Sequence, residues 1–448
     1  MELSRRLAQY ISTLSYEQLP KHVIEFTKLC LLDYFASAIA GKDKKPIQMI
    51  DQFAKEMGGY EQATTVTGGK TSVMNAAFVN GAASHIVELD DIHKGSIIHA
   101  ATVVIPAVLA VAEWKQLSGK EVITAVVVGY EVCYRIGEAV SPSHYYFWHN
   151  TATCGTFGAA AAVAKLLNLT EEQIVHALGN AGTQAAGLWE FIEDGAMTKQ
   201  LHPGKAAMNG LISAMLGKKN FTGATKILEG NRGFFHAMSE QFDVTKVTDK
   251  LGERYKIIEN SFKIHASCRH THHVMDEMIE LAKERKFQER EIDHIVVRTY
   301  QVAINITDND KPMTVYAAKF SLQFCTALAL LTGRGGLDDF NEGTLWDHDI
   351  RALMKRVELI SDETFNDAYP DKWGAAVTVY LKKGDSITRK TDYPKGDPEK
   401  PVTSDELVMK FKNLAKTMSD VARDRFVNDV LTLERQKNIH KLMKTIHE

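Results

Sequence analysis

The chain has 448 residues, more than one compact hydrophobic core usually holds, so two domains are expected. Its 53 Lys and Arg nearly balance 56 Asp and Glu, a net charge of -3, which argues against a general nucleic-acid footprint. Apolar residues make up 45% and charged ones 24%, as in soluble globular proteins, and no apolar stretch has the length of a membrane span. The cysteines (Cys30, Cys133, Cys154, Cys268, Cys325) are scattered and odd in number, with no CxxC pair. That pattern fits a reducing compartment without a disulfide framework. The first twenty residues carry charges and no continuous apolar run, so no secretory signal is expected and the chain reads as cytoplasmic.

In chain order, the first 260 or so residues read as mainly helical. Ser15 and Gln18 form a capping pattern, apolar residues recur at Val23, Phe26, Cys30 and Tyr34, and Gly41 is a plausible stop. Two Ala- and Gly-rich helices follow from Thr153 to Gly187, with a second capping pattern at Thr170 and Gln173. Their small residues predict close helix–helix approach and a central place. After about Phe262 the character changes. "EIDHIVVRTYQVAINIT", "VELISDETFN" and "AAVTVYLKKGDSITRKTDY" read as strands, the last a hairpin turning near Gly384 and Asp385. "HHVMDEMIELAKERK" reads as a helix between them. A Pro/Gly-rich linker and a helical tail close the chain. The helical–mixed–helical order predicts a mainly α protein: a large all-helical domain (1–262 plus 397–448) with a smaller α+β domain (263–396) inserted.

The candidate chemistry begins at "HIVELDDIHKGSIIHAATVVIPA", His85–Ala107, where three histidines and three carboxylates precede an apolar run. No HExxH occurs, so a metal reading lacks the usual ligand spacing. The plain alternative makes Asp90, Asp91 and His93 solvated turn residues. His99 directly precedes an apolar helix, where a helix N-terminus disfavours imidazolium and attracts anions. The pattern recurs. His149 stands before a small-residue helix with Asn150 or Thr151 as its cap. His202, flanked by Lys199 and Lys205, stands before a third helix, and Arg269 and His270 before a fourth. Together they predict a pocket for a polyanionic small molecule. Cys268, His270, His272 and His273 have a lesser metal reading, as one cluster without a separated partner pair. Lys263, at the expected domain junction, is the better functional candidate. No GxGxxG after a strand, P-loop or GxSxG elbow is present.

Taken together, "ELDDIHKGSIIHAATVVIPAVLAVAE", "WHNTATCGTFGAAAAVAKLL", "GAMTKQLHPGKAA", "KIHASCRHTHHVMD" and "AAKFSLQFCTALALLTG" resemble the MmgE/PrpD family. The resemblance implies a large helical domain with an inserted lid domain, a site between them, a homodimer, and no obligatory metal or organic cofactor. It aligns His99 and His149 with the family's active-site histidines, Lys263 with the Lys that opens the lid segment, and Glu88 with a position where many members carry Asp. Ile92, Ala100, Met208 and Cys268 depart from the family pattern; cis-aconitate decarboxylases carry an active-site Lys and a His at the last two.

The expected function is that of a lyase removing a proton next to a carboxylate of a small di- or tricarboxylic acid, 2-methylcitrate dehydratase-like. The alternatives are an imino- or amino-dicarboxylate epimerase, a cis-aconitate decarboxylase-like enzyme, or a non-catalytic carboxylate-binding relative. His99 and His149 are the expected acid–base pair, with Asp90 or Asp91 orienting a histidine or a substrate hydroxyl. Glu88, Lys199, His202, Lys263, Cys268 and Arg269 are the expected substrate-binding residues. No nucleic-acid or membrane partner is expected.

Overall fold

A computed structural model describes residues 2–448. The protein is mainly α-helical with a smaller α+β part. It divides into two compact units: the described residues up to Asn260 with Thr403–Glu448, and Ser261–Val402.

The larger unit contains α1 (Lys21–Gly41), α2 (Lys45–Met57), α3 (Val73–His85), α4 (Ala101–Lys115), α5 (Gly119–Val140), α6 (Asn150–Leu166), α7 (Glu171–Gly182) and α8 (Thr198–Lys218). Local signals set many of the ends. The Ser118–Glu121 box starts α5 and the expected Thr170–Gln173 box starts α7. The Ser15–Gln18 box closes only one 3-10 turn, and α1 begins after Pro20. Gly41 ends α1 as expected.

Helices α4, α5 and α6 are buried on almost every side, in keeping with their Ala, Val and Gly content. Small residues let them touch. A Cβ on Gly158 of α6 would stand 2.8 Å from the Gly129 carbonyl oxygen of α5. A second close crossing pairs Gly81 of α3 with Gly204 of α8, where a Cβ on Gly204 would stand 2.3 Å from the Phe78 carbonyl oxygen. α8 also packs on α6. This brings the end of α3 and the starts of α6 and α8 into one neighbourhood. The helix Ser404–Leu414 packs on α1, and its Lys410 Nζ reaches Asp33 Oδ1 at 2.5 Å and the Leu89 carbonyl at 2.6 Å. It thereby ties down the loop that follows α3.

The smaller unit has a four-stranded sheet of β1 (Ile292–Thr299), β2 (Val357–Ser361), β3 (Ala375–Leu381) and β4 (Ser386–Thr391), in the order β2-β1-β3-β4. β1 and β2 are parallel; β3 runs antiparallel to β1 and to β4. Alternate residues Ala375, Val377 and Val379 are buried, and α9 (Arg269–Glu284) packs against β3 and β4. The β3–β4 hairpin turns at Gly384, whose φ of 97° needs glycine. The first two expected strands are shorter than read. β1 stops at Thr299 and Gln301–Thr307 is helical; β2 stops where the Asp362 side chain caps Glu363–Ala368. Among the described residues no helix is long and apolar enough to cross a membrane.

Candidate active site

The solvated-turn reading of Asp90, Asp91 and His93 fails: they are 0%, 0% and 2% exposed. The loop after α3 folds inward through two left-handed residues, Glu88 (φ 61°) and Ile97 (φ 54°). Neither residue type favours that conformation, so this loop stores backbone strain, a frequent property of functional sites.

The fold-back returns Asp90 to the end of α3. Its Oδ2 lies 2.7 Å from His85 Nδ1 and 3.1 Å from His99 Nδ1. One carboxylate oxygen is therefore hydrogen-bonded to His85 and within ion-pair distance of His99, and the two ring centres are 4.9 Å apart. Burial opposes the Asp90 charge, but the attraction and hydrogen bonds of His85 and His99 hold its carboxyl well below the usual range. His99 stands two residues before α4, as expected, and its backbone N–H donates to Thr151 Oγ1 at 3.1 Å, linking the starts of α4 and α6.

Asp91 has different partners. It accepts from the Tyr130 hydroxyl (2.6 Å), the Asn260 amide (2.7 Å) and the Ala101 N–H at the start of α4 (3.1 Å). Burial, with repulsion from Asp33 and Asp90, outweighs two of these bonds and lifts its pKa to about 7. Two adjacent aspartates are thus set apart: Asp90 is ionised among histidines, and Asp91 anchors the helix start.

His149 is itself the cap position of α6, and Asn150 is the first helical residue rather than the cap. The Asn150 amide instead donates to the Ser96 carbonyl at 2.7 Å. His149 stacks on His85 at 5.7 Å, and its Nδ1 lies 3.1 Å from His202 Nδ1. Burial pushes His149 well below the usual histidine value, aided by His202, His85 and Lys199. Burial, with His85, Lys199 and Lys205, pushes His202 down to about 4. His202 does not precede its helix: α8 begins at Thr198 and carries both His202 and Pro203 inside it. Trp189 and Phe191 flank His149 and His202 at 4.8 and 5.6 Å. Lys199, also on α8, forms a buried ion pair with Glu88.

Glu88, Asp90, His99, His149, Lys199 and His202 therefore come together in the larger unit. His85, Trp189 and Phe191 join them without having been singled out from sequence. His85 carried a signal, since it lies in the same His/Asp-rich stretch five residues before Asp90.

Two groups among the described residues have the spacing to hold a metal ion, His85–Asp90–His99 and His93–Glu138–Glu259. In the second, Lys256 Nζ already reaches Glu138 and Glu259 at 2.9 and 3.2 Å. His93 is stacked on Tyr134 at 4.2 Å and bonded to Ser96.

Lys263, Cys268 and Arg269 belong to the smaller unit, and all three are buried there. Arg269 opens α9 rather than preceding it. Its guanidinium pairs with Asp397 and donates to the Lys395 carbonyl at 3.1 Å. The neighbouring imidazoles do not converge on one point. His270 bonds the Tyr300 hydroxyl (2.7 Å), His272 contacts Arg269 (3.0 Å) and His273 contacts Thr299 (3.1 Å).

A largely helical body with a smaller α+β unit inserted late in the chain fits the fold of an MmgE/PrpD enzyme. The chain belongs to this family: its N-terminal domain model matches residues 5–246 and its C-terminal domain model residues 265–433. A cis-aconitate decarboxylase-like protein, oryM, of Aspergillus oryzae is 27% identical over 99% of this chain and 97% of its own length. Human cis-aconitate decarboxylase is 26% identical over 96% and 92%, respectively. The 2-methylcitrate dehydratase of Escherichia coli is 22% identical over 97% and 95%. Dehydratases and decarboxylases are both lyases, and the chain is an enzyme of this type.

Proposed function

We propose that the protein removes a proton from a carbon next to a carboxylate of a small di- or tricarboxylic acid, as a hydro-lyase of the 2-methylcitrate dehydratase kind. The observation that carries the reading is a buried carboxylate, Asp90, whose Oδ2 lies 3.1 Å from His99 Nδ1 in a site shared with His149. With its Nδ1 proton directed at Asp90, His99 keeps the lone pair on Nε2 as the proton acceptor. The C–H electron pair then forms the carbon–carbon double bond as the C–O bond breaks. The departing hydroxide, held by a hydrogen bond from neutral His149 Nε2–H, takes the proton that His99 has just accepted and leaves as water, so both imidazoles end neutral. In that state His149 Nδ1 accepts from His202 Nδ1–H across their 3.1 Å contact. Lys199 divides its charge between Glu88 and a substrate carboxylate, stabilising the carbanion-like state in a dry site.

The test is a panel of 2-methylcitrate, citrate, cis-aconitate and iminodisuccinate followed by mass change. Loss of water supports the reading. Loss of carbon dioxide assigns a decarboxylase, and α-deuterium uptake without net loss assigns an epimerase. Tight binding with no turnover assigns a non-catalytic relative. The buried, unbridged cysteines support a cytoplasmic location.

We also propose a homodimer. α2 exposes Met49, Phe53 and Met57 at a four-residue spacing, with Tyr60 and Met74 nearby. A second copy packed antiparallel would cover the stripe. Light scattering of the wild type and of Phe53→Glu checks this; a dimer unchanged by the substitution places the interface elsewhere.

A further inference from the structure

We infer that His85, through the Asp90 oxygen it shares with His99, sets how strongly His99 holds a proton, and is thus a positioning residue for the acid–base step. The inference rests on the assignment of His99 as the base.

The geometry is specific. His85 is the last residue of α3, where the helix carbonyl end favours positive charge; His99 stands before α4, where the amide end disfavours it. Both imidazoles present Nδ1 to the same atom, Asp90 Oδ2, with the His85 contact the shorter at 2.7 Å against 3.1 Å. A carboxylate that accepts from His85 has less charge left for His99. His85 is fully buried, and its Nε2 has no hydrogen-bond partner. A side chain kept only for volume at such a place would be apolar, because an unpaired buried nitrogen destabilises. The other titratable and charged groups of the packed elements are Glu88 in the loop, His149 on α6, Lys199, His202 and Lys205 on α8, Asp33 on α1, and Lys410, which bonds Asp33 and the Leu89 carbonyl. Asp91 is engaged by Tyr130 and Asn260. Only His85 and His99 contact the Asp90 carboxylate among the described ion pairs.

The experiment compares full-length wild type, His85→Asn and His85→Phe. The histidine Cε1–H signals are followed by NMR against pH, and the His99 signal is assigned as the one lost in His99→Gln. Turnover of 2-methylcitrate is profiled over the same range. Asn keeps a donor toward Asp90 and Phe removes it. The expected result is an upward move of the His99 midpoint and of the acidic limb of the rate profile. The move is about one pH unit in His85→Phe and smaller in His85→Asn. Circular dichroism verifies folding; if His85→Phe does not fold, the smaller shift in His85→Asn is the deciding result. Folded His85 variants that lose rate with the His99 midpoint unmoved would overturn the inference. If His99→Gln retains full turnover, the base assignment falls, and the NMR midpoint still reports separately whether His85 and His99 are coupled through Asp90.

Discussion

The protein carries two dense groups of buried histidines, and they are built in opposite ways. In the larger unit His85 and His99 share one carboxylate oxygen, and His149 and His202 share one nitrogen-to-nitrogen contact. In the smaller unit, around the start of α9, nearly every imidazole has its own partner: His265 with Asp276 at 2.8 Å, His270 with Tyr300, His273 with Thr299. His270 also stacks face to face on buried Trp373 at 4.4 Å. Burial and histidine density are alike in the two regions. Competition for a common partner separates them: shared groups can exchange protons, and individually satisfied ones lock a core.

The largest expected effect tests that distinction directly. His99→Gln should lower turnover by several orders of magnitude with circular dichroism and melting temperature almost unchanged. His270→Gln should do the reverse, lowering the melting temperature while turnover per folded molecule changes little. Equal losses of turnover from both would erase the comparison. Next comes Arg269→Met, which removes the guanidinium paired with buried Asp397. It should destabilise by about 3–5 kcal/mol in urea unfolding. A near-neutral result would mean that the smaller unit does not depend on that ion pair.

The overlap at the α3–α8 crossing is smaller in energy but lies closer to the site. Gly204→Ala presses a methyl toward the Phe78 carbonyl and should cost about 1–3 kcal/mol. It should also reduce turnover, because α8 carries Lys199 and His202. Stability lost without any loss of rate would show that the crossing does not position the site.

The pH dependence follows from the buried neutral imidazoles. Burial holds His144 and His202 at about 4, and His270 and His273 at about 3, below the usual value of about 6.5 in the unfolded chain. The unfolded state binds more protons in between, so stability is full above about 6.5 and falls as pH drops toward 3. Asp91 acts in the other direction: raised to about 7, its contribution is present below the usual carboxylate range and fades as pH rises through about 7. The melting temperature should therefore drop steeply on acidification. The gap between wild type and Asp91→Asn should narrow as pH rises from the carboxylate range to about 7 and stay constant above it. A flat acid limb would mean that the imidazoles are not held neutral.

Much of this was legible in the sequence, where the signal was local. The Thr170–Gln173 box, the stop at Gly41 and the hairpin at Gly384 each depend on residues within one turn of each other. His99 and His149 could be placed because an apolar or small-residue helix follows each directly. His85 was missed because its partner is reached only through the left-handed turn at Glu88, a conformation that Glu does not signal. His202 was set one turn too early because Pro203 resembles a helix-start marker, whereas α8 accommodates it internally. The division of labour between Asp90 and Asp91 was invisible, since Tyr130 and Asn260 come from distant parts of the chain.

The turn at Glu88 also couples two properties that most proteins vary separately. The residue that supplies the anion for Lys199 is the one whose main chain is twisted to positive φ. Asn or Asp would sit there with less conformational penalty but would reach less far, and Gly would relax the twist and abolish the anion. Gly or Asn at this codon would therefore trade the anion for an easier backbone, whereas Asp would keep the anion and give up reach toward Lys199.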